Sequence, residues 1–402
     1  MTDKILKFPS GFLWGASTSA YQVEGGLVND WSEWEKSPRR LAELKAKVLD
    51  PLDFQSGQAC DSWNRTEEDI ACLKQINATA YRFSVDWSRI EPEEGRFDES
   101  ALNHYASFVA RLREENIEPF VTLWHWPIPL WLKAKGGFES SDIVEYFKTY
   151  VERVALALPT VKFWVTVNEP TIYAGNSFLK GIWPPQKKNI FLYFRVLNNL
   201  ARAHRVAYDV LKNVITETKV GVASPNIYFE NNPGLINKLL KLGADWWWNN
   251  HWLDKIKDKQ DFIGLNFYFH NLINFGFSKN KNEKINDLGW ELYPAGIYYV
   301  LMKLHQRYHK PVYIMENGLA DEADTQRAWY LKEILKNVNQ AVTDGVDVRG
   351  YLHWSLIDNF EWAHGFGPKF GLFSVDRKTF IRSPRPSVKI YSEIAKNNEL
   401  KV

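Results

Sequence analysis

Pro311-Val312-Tyr313-Ile314-Met315-Glu316-Asn317-Gly318 is an apolar run, bounded by Pro and Gly, that ends on a charge. A run of this kind reads as a strand buried on both faces, as parallel sheets require. Working outward from it, seven more such runs recur along the chain: Phe12–Thr18, Ala78–Val85, Pro119–His125, Lys162–Glu169, Lys219–Asn226, Asp261–Tyr268 and Arg349–Leu356. Segments with helical spacing of apolar residues lie between them, among them Leu102–Glu115 and Ile143–Leu158. Alternating strand and helix predicts parallel pairing through right-handed crossovers, and eight units predict an α/β fold, a closed (β/α)8 TIM barrel. A length of 402 residues would allow several domains, but no linker or low-complexity stretch divides the chain, so one domain over 1–402 is expected.

Composition narrows the function. With 45% hydrophobic and 24% charged residues the chain can bury about 75% of its unfolded surface, which excludes disorder, collagen and coiled coil. Lys and Arg number 50 against 48 Asp and Glu, a net +2 that lacks the broad positive field of a nucleic-acid or anionic-membrane binder. No nucleic-acid or membrane partner is therefore expected. Cys60 and Cys72, the only cysteines, read as buried thiols of a reducing compartment. Met1 to Lys7 contains no signal-peptide core and no run approaches a membrane span, so a cytoplasmic protein is expected. The aromatic content of 15%, with 18 Trp, suits flat apolar sugar faces as well as core packing.

In a (β/α)8 barrel the active site is built at the C-terminal ends of the strands. There the chain places His125 and Trp126, Asn168 and Glu169, Asn266 and Tyr268, Glu316 and Asn317, and Trp354. Two of these ends carry a Glu after an apolar run: Asn168-Glu169-Pro170 and Glu316-Asn317-Gly318. Cleaving a glycosidic bond needs one carboxyl to protonate the leaving oxygen and a carboxylate across the anomeric carbon, which two Glu facing each other across a barrel mouth supply. A lone Glu would more often cap a helix or pair with an Arg. Here Pro170 fixes the turn after Glu169, Gly318 frees the turn after Glu316, and each Glu adjoins an Asn that can hydrogen-bond without neutralising it.

These residues carry a family resemblance that spans nearly the whole chain. The matching segments are Phe8-Pro9-Ser10-Gly11-Phe12-Leu13-Trp14-Gly15 through Gln22-Val23-Glu24-Gly25, Tyr81-Arg82-Phe83-Ser84 with Trp87-Ser88-Arg89-Ile90, His125-Trp126, Asn168-Glu169-Pro170, Asn266-Phe267-Tyr268, Glu316-Asn317-Gly318, and Trp354-Ser355-Leu356 through Asp358-Asn359-Phe360-Glu361-Trp362. In this order the sequence resembles the family 1 glycoside hydrolases, the β-glucosidase and β-glycosidase family. The resemblance implies a retaining, exo-acting β-glycosidase, foremost a β-glucosidase with some tolerance for β-galactosides or β-fucosides. It implies Glu169 as acid/base and Glu316 as nucleophile, with carboxyl groups about 5 to 5.5 Å apart. Gln22, His125, Trp126, Asn168, Glu361 and Trp362 would form the sugar pocket, Trp354 a platform under the ring and Phe370 its border. Arg82, Asn266 and Tyr268 would position the nucleophile, Arg82 and Tyr268 lowering its pKa while Glu169 keeps a raised one. The partner is then a small β-glycoside or oligosaccharide. A transglycosylase would keep all these residues, whereas a non-catalytic sugar-binding relative would lose a catalytic Glu.

The chain also departs from the pattern. Many members follow His-Trp with Asp, whereas here Pro127 follows Trp126, and only 34 residues separate Asn226 from Asp261, so a more open leaving-group side is expected. No His-Glu-x-x-His or Cys/His cluster has metal spacing, and two-carboxylate hydrolysis needs neither metal nor cofactor, so none is assigned. Gly365 to Gly371 lacks the third Gly of a dinucleotide loop, Phe370 standing in its place. Asn64-Arg65-Thr66 and Asn77-Ala78-Thr79 read as chance glycosylation matches. Trp246-Trp247-Trp248 and Trp252 read as helix-to-barrel packing, and Arg39-Arg40 and Lys187-Lys188 as solvated surface.

Overall fold

The computed structural model describes residues 4–402; Met1 to Asp3, part of the N-terminal stretch read above, lie outside the described residues. Eight strands form a closed parallel barrel: β1 (Leu13–Ser17), β2 (Ala80–Ser84), β3 (Glu118–Trp124), β4 (Phe163–Asn168), β5 (Lys219–Pro225), β6 (Phe262–Asn266), β7 (Val312–Asn317) and β8 (Val348–Trp354). Neighbours follow chain order, and β8 closes onto β1 from Gly350 opposite Leu13 to Trp354 opposite Ser17. A helix follows each strand: α1 (Thr66–Gln75), α2 (Glu99–Glu114), α3 (Ile143–Ala157), α4 (Ile190–Val214), α5 (Leu235–Asp245), α6 (Gly296–Tyr308), α7 (Arg327–Thr343) and α8 (Ser387–Asn397). All eight expected strands are present, with ends within two residues of the expectation.

Local sequence explains the helices. In α2 the buried Ala101, Leu102, Tyr105, Val109 and Leu112 form one stripe against the barrel, and the Asp98 carboxylate caps the first turn by accepting from the Ser100 and Ala101 amides. Inside the barrel, Phe120, Val165, Phe262, Tyr313, Met315 and Leu352 pack as an apolar plug. Phe120 stacks on Phe163 at 4.3 Å and meets Tyr313 edge-on at 5.3 Å. This plug is the floor on which the polar strand ends stand.

Cys60 and Cys72 are buried and unbridged. Arg40 departs from the solvated basic pair expected of Arg39-Arg40. Its guanidinium lies buried 4.7 Å from the Trp34 ring centre and donates to the Ala363 carbonyl at 2.6 Å, while Arg39 stays exposed. Among the described residues no helix is long and apolar enough to cross a membrane.

Candidate active site

Arg82, fully buried on β2, ties three other strand ends together. Its Nε donates to Thr122 Oγ1 at 2.9 Å, one terminal nitrogen donates to Asn168 Oδ1 at 2.6 Å, and the other pairs with Glu316 Oε1. Glu316 accepts a second hydrogen bond on Oε2 from the Tyr268 hydroxyl at 3.1 Å. Because a guanidinium can only donate, Asn168 must present its oxygen to Arg82 and its amide nitrogen to His125 Nε2, 3.0 Å away. His125 Nε2 is therefore the acceptor, and the proton sits on Nδ1, which has no protein partner.

Glu169 directly follows β4. Its amide bonds to the Ala223 carbonyl at 2.8 Å, and Pro170 starts a short helix at its first position, where a missing N–H costs nothing. Glu169 itself has φ 45° and ψ 57°. Trp126 (φ 86°) and Trp362 (φ 50°) share this left-handed region, in which a non-Gly residue costs roughly 1–3 kcal/mol. Strain at three residues of one site marks a geometry that the surroundings enforce. Asn266, at the end of β6 and in register with Glu316, donates to Glu169 Oε1 at 3.0 Å and so links the strand ends that carry the two glutamates. Gly318 is required for space rather than for the turn freedom expected of it: a Cβ there would lie 1.8 Å from the Trp354 carbonyl oxygen.

Glu169, Glu316 and Glu361 open into one cavity of about 400 Å³, together with His125, Trp126, Tyr268, Trp354, Trp362 and Phe370. Gln22 and Asn168, expected to touch sugar, are fully buried just behind this lining. The Gln22 amide nitrogen lies 3.0 Å from both Asn359 Oδ1 and the Phe360 carbonyl and 3.3 Å from Glu361 Oε2, while its oxygen accepts from Ser19. The Trp126 indole N–H is likewise committed, to the Asn168 carbonyl at 3.0 Å.

Three carboxyls face one another with a single buried guanidinium among them. Burial, then the charge of Glu316, pushes Glu169 up to about 8, against the pull of Asn266 and Arg82. The same two causes push Glu361 to about 8, with Gln22 opposing. For Glu316 the expectation of a lowered value is not met: burial outweighs Arg82, Tyr268 and Asn266, and the carboxyl stands above its ordinary value. The ordering within the pair still follows from the partners. Glu316 holds the ion pair and the Tyr268 hydrogen bond, so it ionises first and Glu169 keeps the proton. Burial and the Arg82 charge hold His125 neutral.

The sequence reading missed part of the lining. Asn176, Trp183, Asn226, Trp248 and Trp290 all border the cavity. Asn176 and Trp248 stand in two wide turns closed by i→i+5 bonds, from Lys180 to Gly175 and from His251 to Trp246. The Trp246–Trp248 run is thus not packing alone: Trp247 stacks on Tyr193 at 5.4 Å and Trp252 is buried, but Trp248 lines the cavity and Trp246 is exposed.

The model of glycosyl hydrolase family 1 matches residues 5–233 and 236–400 of the chain. Beta-glucosidase A of Thermotoga maritima is 35% identical over 453 aligned positions, covering 98% of this chain and 99% of that protein. The alignment is longer than this chain of 402 residues, so that relative carries insertions. Among solved structures, a family 1 β-glucosidase from Thermotoga maritima superposes with a TM-score of 0.93 at 32% identity, covering 99% of this chain and all of that one. A β-glycosidase from Pyrococcus horikoshii superposes at 0.90 with 36% identity, covering 99% and 97%. With two strand-end glutamates, a buried Arg between them and an aromatic cavity above a parallel barrel, the chain belongs to glycosyl hydrolase family 1.

Proposed function

We propose that the protein is a retaining, exo-acting β-glucosidase that acts on unphosphorylated β-glucosides by double displacement. The observation that carries this reading is the asymmetry of the two glutamates: Glu316 is held by Arg82 and Tyr268, while Glu169 has only the Asn266 amide and is pushed up to about 8. At neutral pH one carboxyl is an anion aimed into the cavity and the other still carries a proton. In the first step Glu316 attacks the anomeric carbon as Glu169 protonates the departing oxygen. In the second, Glu169, now ionised, takes a proton from water, which displaces Glu316 and releases the sugar with its original configuration.

The Trp362 indole serves as a donor to sugar hydroxyls, the His125 ring borders the sugar, and Glu361 accepts from two hydroxyls. Trp354 supports the ring, and Phe370 borders it. Gln22 and Asn168 act by fixing Glu361 and His125. The apolar plug below closes the cavity at its base, which favours a chain end over an internal bond. Solved complexes of the Thermotoga maritima enzyme with deoxynojirimycin and with galacto-hydroximolactam support a sugar-sized ligand of gluco or galacto configuration. A panel of aryl α- and β-glycosides, with the first-formed anomer read by NMR, tests the proposal. Turnover of β-glucosides with the β-anomer appearing first is expected; α-anomer first, or preference for α-glycosides, would overturn it.

A further inference from the structure

Helix α5 is built inside out. The residues it buries are Asn237 and Asp245, whereas Leu235, Ile236, Leu239, Leu240 and Leu242 are exposed, Leu235 at 73% and Leu242 at 51%. These leucines and the isoleucine recur at i, i+1, i+4, i+5 and i+7, which gathers them on one face. Burying the polar side is no accident of placement: Asn237 accepts from the Phe275 amide at 2.7 Å, and Asp245 pairs with Lys241 at 2.8 Å and Lys303 at 2.9 Å. The Phe275 contact also brings the hairpin His270–Asn274/Phe277–Ser278 beside the helix, and there Phe275 (66% exposed) and Phe277 (69%) are exposed as well. Single exposed apolar residues are ordinary, but five on one helix face with two exposed Phe on the neighbouring hairpin signal a partner.

Charge identifies the partner. Four lysines lie on the helix and hairpin, Lys238, Lys241, Lys279 and Lys281, of which Lys241 is tied to Asp245 at 2.8 Å and Lys281 lies 3.9 Å from Glu283. Among the described residues Lys238 and Lys279 make no ion pair. A second copy of this face would bring lysines against lysines, so self-pairing is opposed by like charge. An apolar helical face fringed by lysines matches a bilayer whose surface carries anionic headgroups: the leucines enter the acyl boundary and the lysines remain at the phosphates. We propose that α5 and the Phe275–Phe277 hairpin form a peripheral binding site for an anionic lipid surface. The expectation of no membrane partner rests on overall charge and on the length of apolar runs, and neither tests a single amphipathic face.

The test is co-sedimentation of the full chain with vesicles of phosphatidylcholine alone and of phosphatidylcholine with 25% phosphatidylglycerol, with the free protein sized by light scattering. Binding to the phosphatidylglycerol vesicles, reduced at least tenfold in L239E/L242E, supports the proposal, as does a loss of at least threefold in K238A/K279A. Aryl-glucoside turnover, unchanged in both variants because none of these residues touches the cavity, verifies folding. Wild-type protein that ignores both vesicles overturns the proposal without any variant. So does binding that is equal on both vesicles and unaffected by either variant, or a wild-type dimer that L239E/L242E converts to monomer without vesicle binding.

Discussion

Replacing Glu316 with Gln keeps the shape of the site but removes the charge that Glu169 faces. If the account of the pair is right, Glu169 must then become more acidic. Two unit charges about 5.5 Å apart, the spacing of a retaining pair, interact by about 3 kcal/mol at an effective dielectric constant near 20. At 1.36 kcal/mol per pH unit this is roughly two units. Glu169 should move from about 8 in the wild type to about 6 in Glu316→Gln, and no further, because burial is the larger cause of its shift and persists. Glu361→Gln should move it by less, since the Glu361 charge ranks below that of Glu316. The assay is a ¹³C NMR titration with glutamate labelled at the side-chain carboxyl, the Glu169 resonance being identified by its absence in Glu169→Gln. A wild-type value below 6, or a shift under half a unit in Glu316→Gln, would refute the reasoning that the two carboxyls are electrostatically coupled.

Three further outcomes follow from the same geometry. Glu169→Ala should slow hydrolysis of alkyl glucosides by orders of magnitude but activated aryl glucosides far less, with partial rescue by azide; equal losses across leaving groups would remove Glu169 from the acid role. Glu361 has a folded-state value of about 8 against an ordinary 4.5, so the folded protein binds the extra proton and stability falls as pH rises from 4.5 to 8. Glu361→Gln should therefore leave the melting temperature unchanged at pH 4 and stabilise at pH 8.5 by about 2 kcal/mol, below the roughly 5 kcal/mol of the full shift because the carboxyl opens onto the cavity; a calorimeter reads both. Above pH 8, where Glu361 is ionised, it should also repel a 6-phosphate of about −2 charge, so at pH 9 wild type should favour glucoside over glucoside-6-phosphate by at least a hundredfold in kcat/KM, and Glu361→Ser should narrow that gap.

The fold was legible because most of each barrel strand is buried and so reads as a mainly apolar run, Val312 to Met315 being the clearest. The paired glutamates were legible because each ends an apolar run next to an Asn and a Pro or Gly, in Asn168-Glu169-Pro170 and Glu316-Asn317-Gly318. What escaped depends on neighbours distant in sequence. Nothing around Trp248 distinguishes it from Trp247; only the wide turn at Trp246 sends one to the cavity and the other onto Tyr193. The spacing in α5 is that of an ordinary amphipathic helix, and sequence cannot say which face meets the barrel. Gly318 looked like a turn residue, although its constraint is the Trp354 carbonyl on the adjacent strand. The net direction for Glu316 depends on how deeply the barrel buries it, a quantity that its partners Arg82 and Tyr268 do not reveal.

The central claim is that Glu316 forms the covalent bond to sugar. Incubation with a 2-fluoro β-glucoside bearing an activated leaving group, followed by proteolysis and mass spectrometry, tests it directly. The account predicts one label per chain, on the peptide containing Glu316, and none in Glu316→Ala; a label on Glu169, Glu361 or any other residue contradicts it.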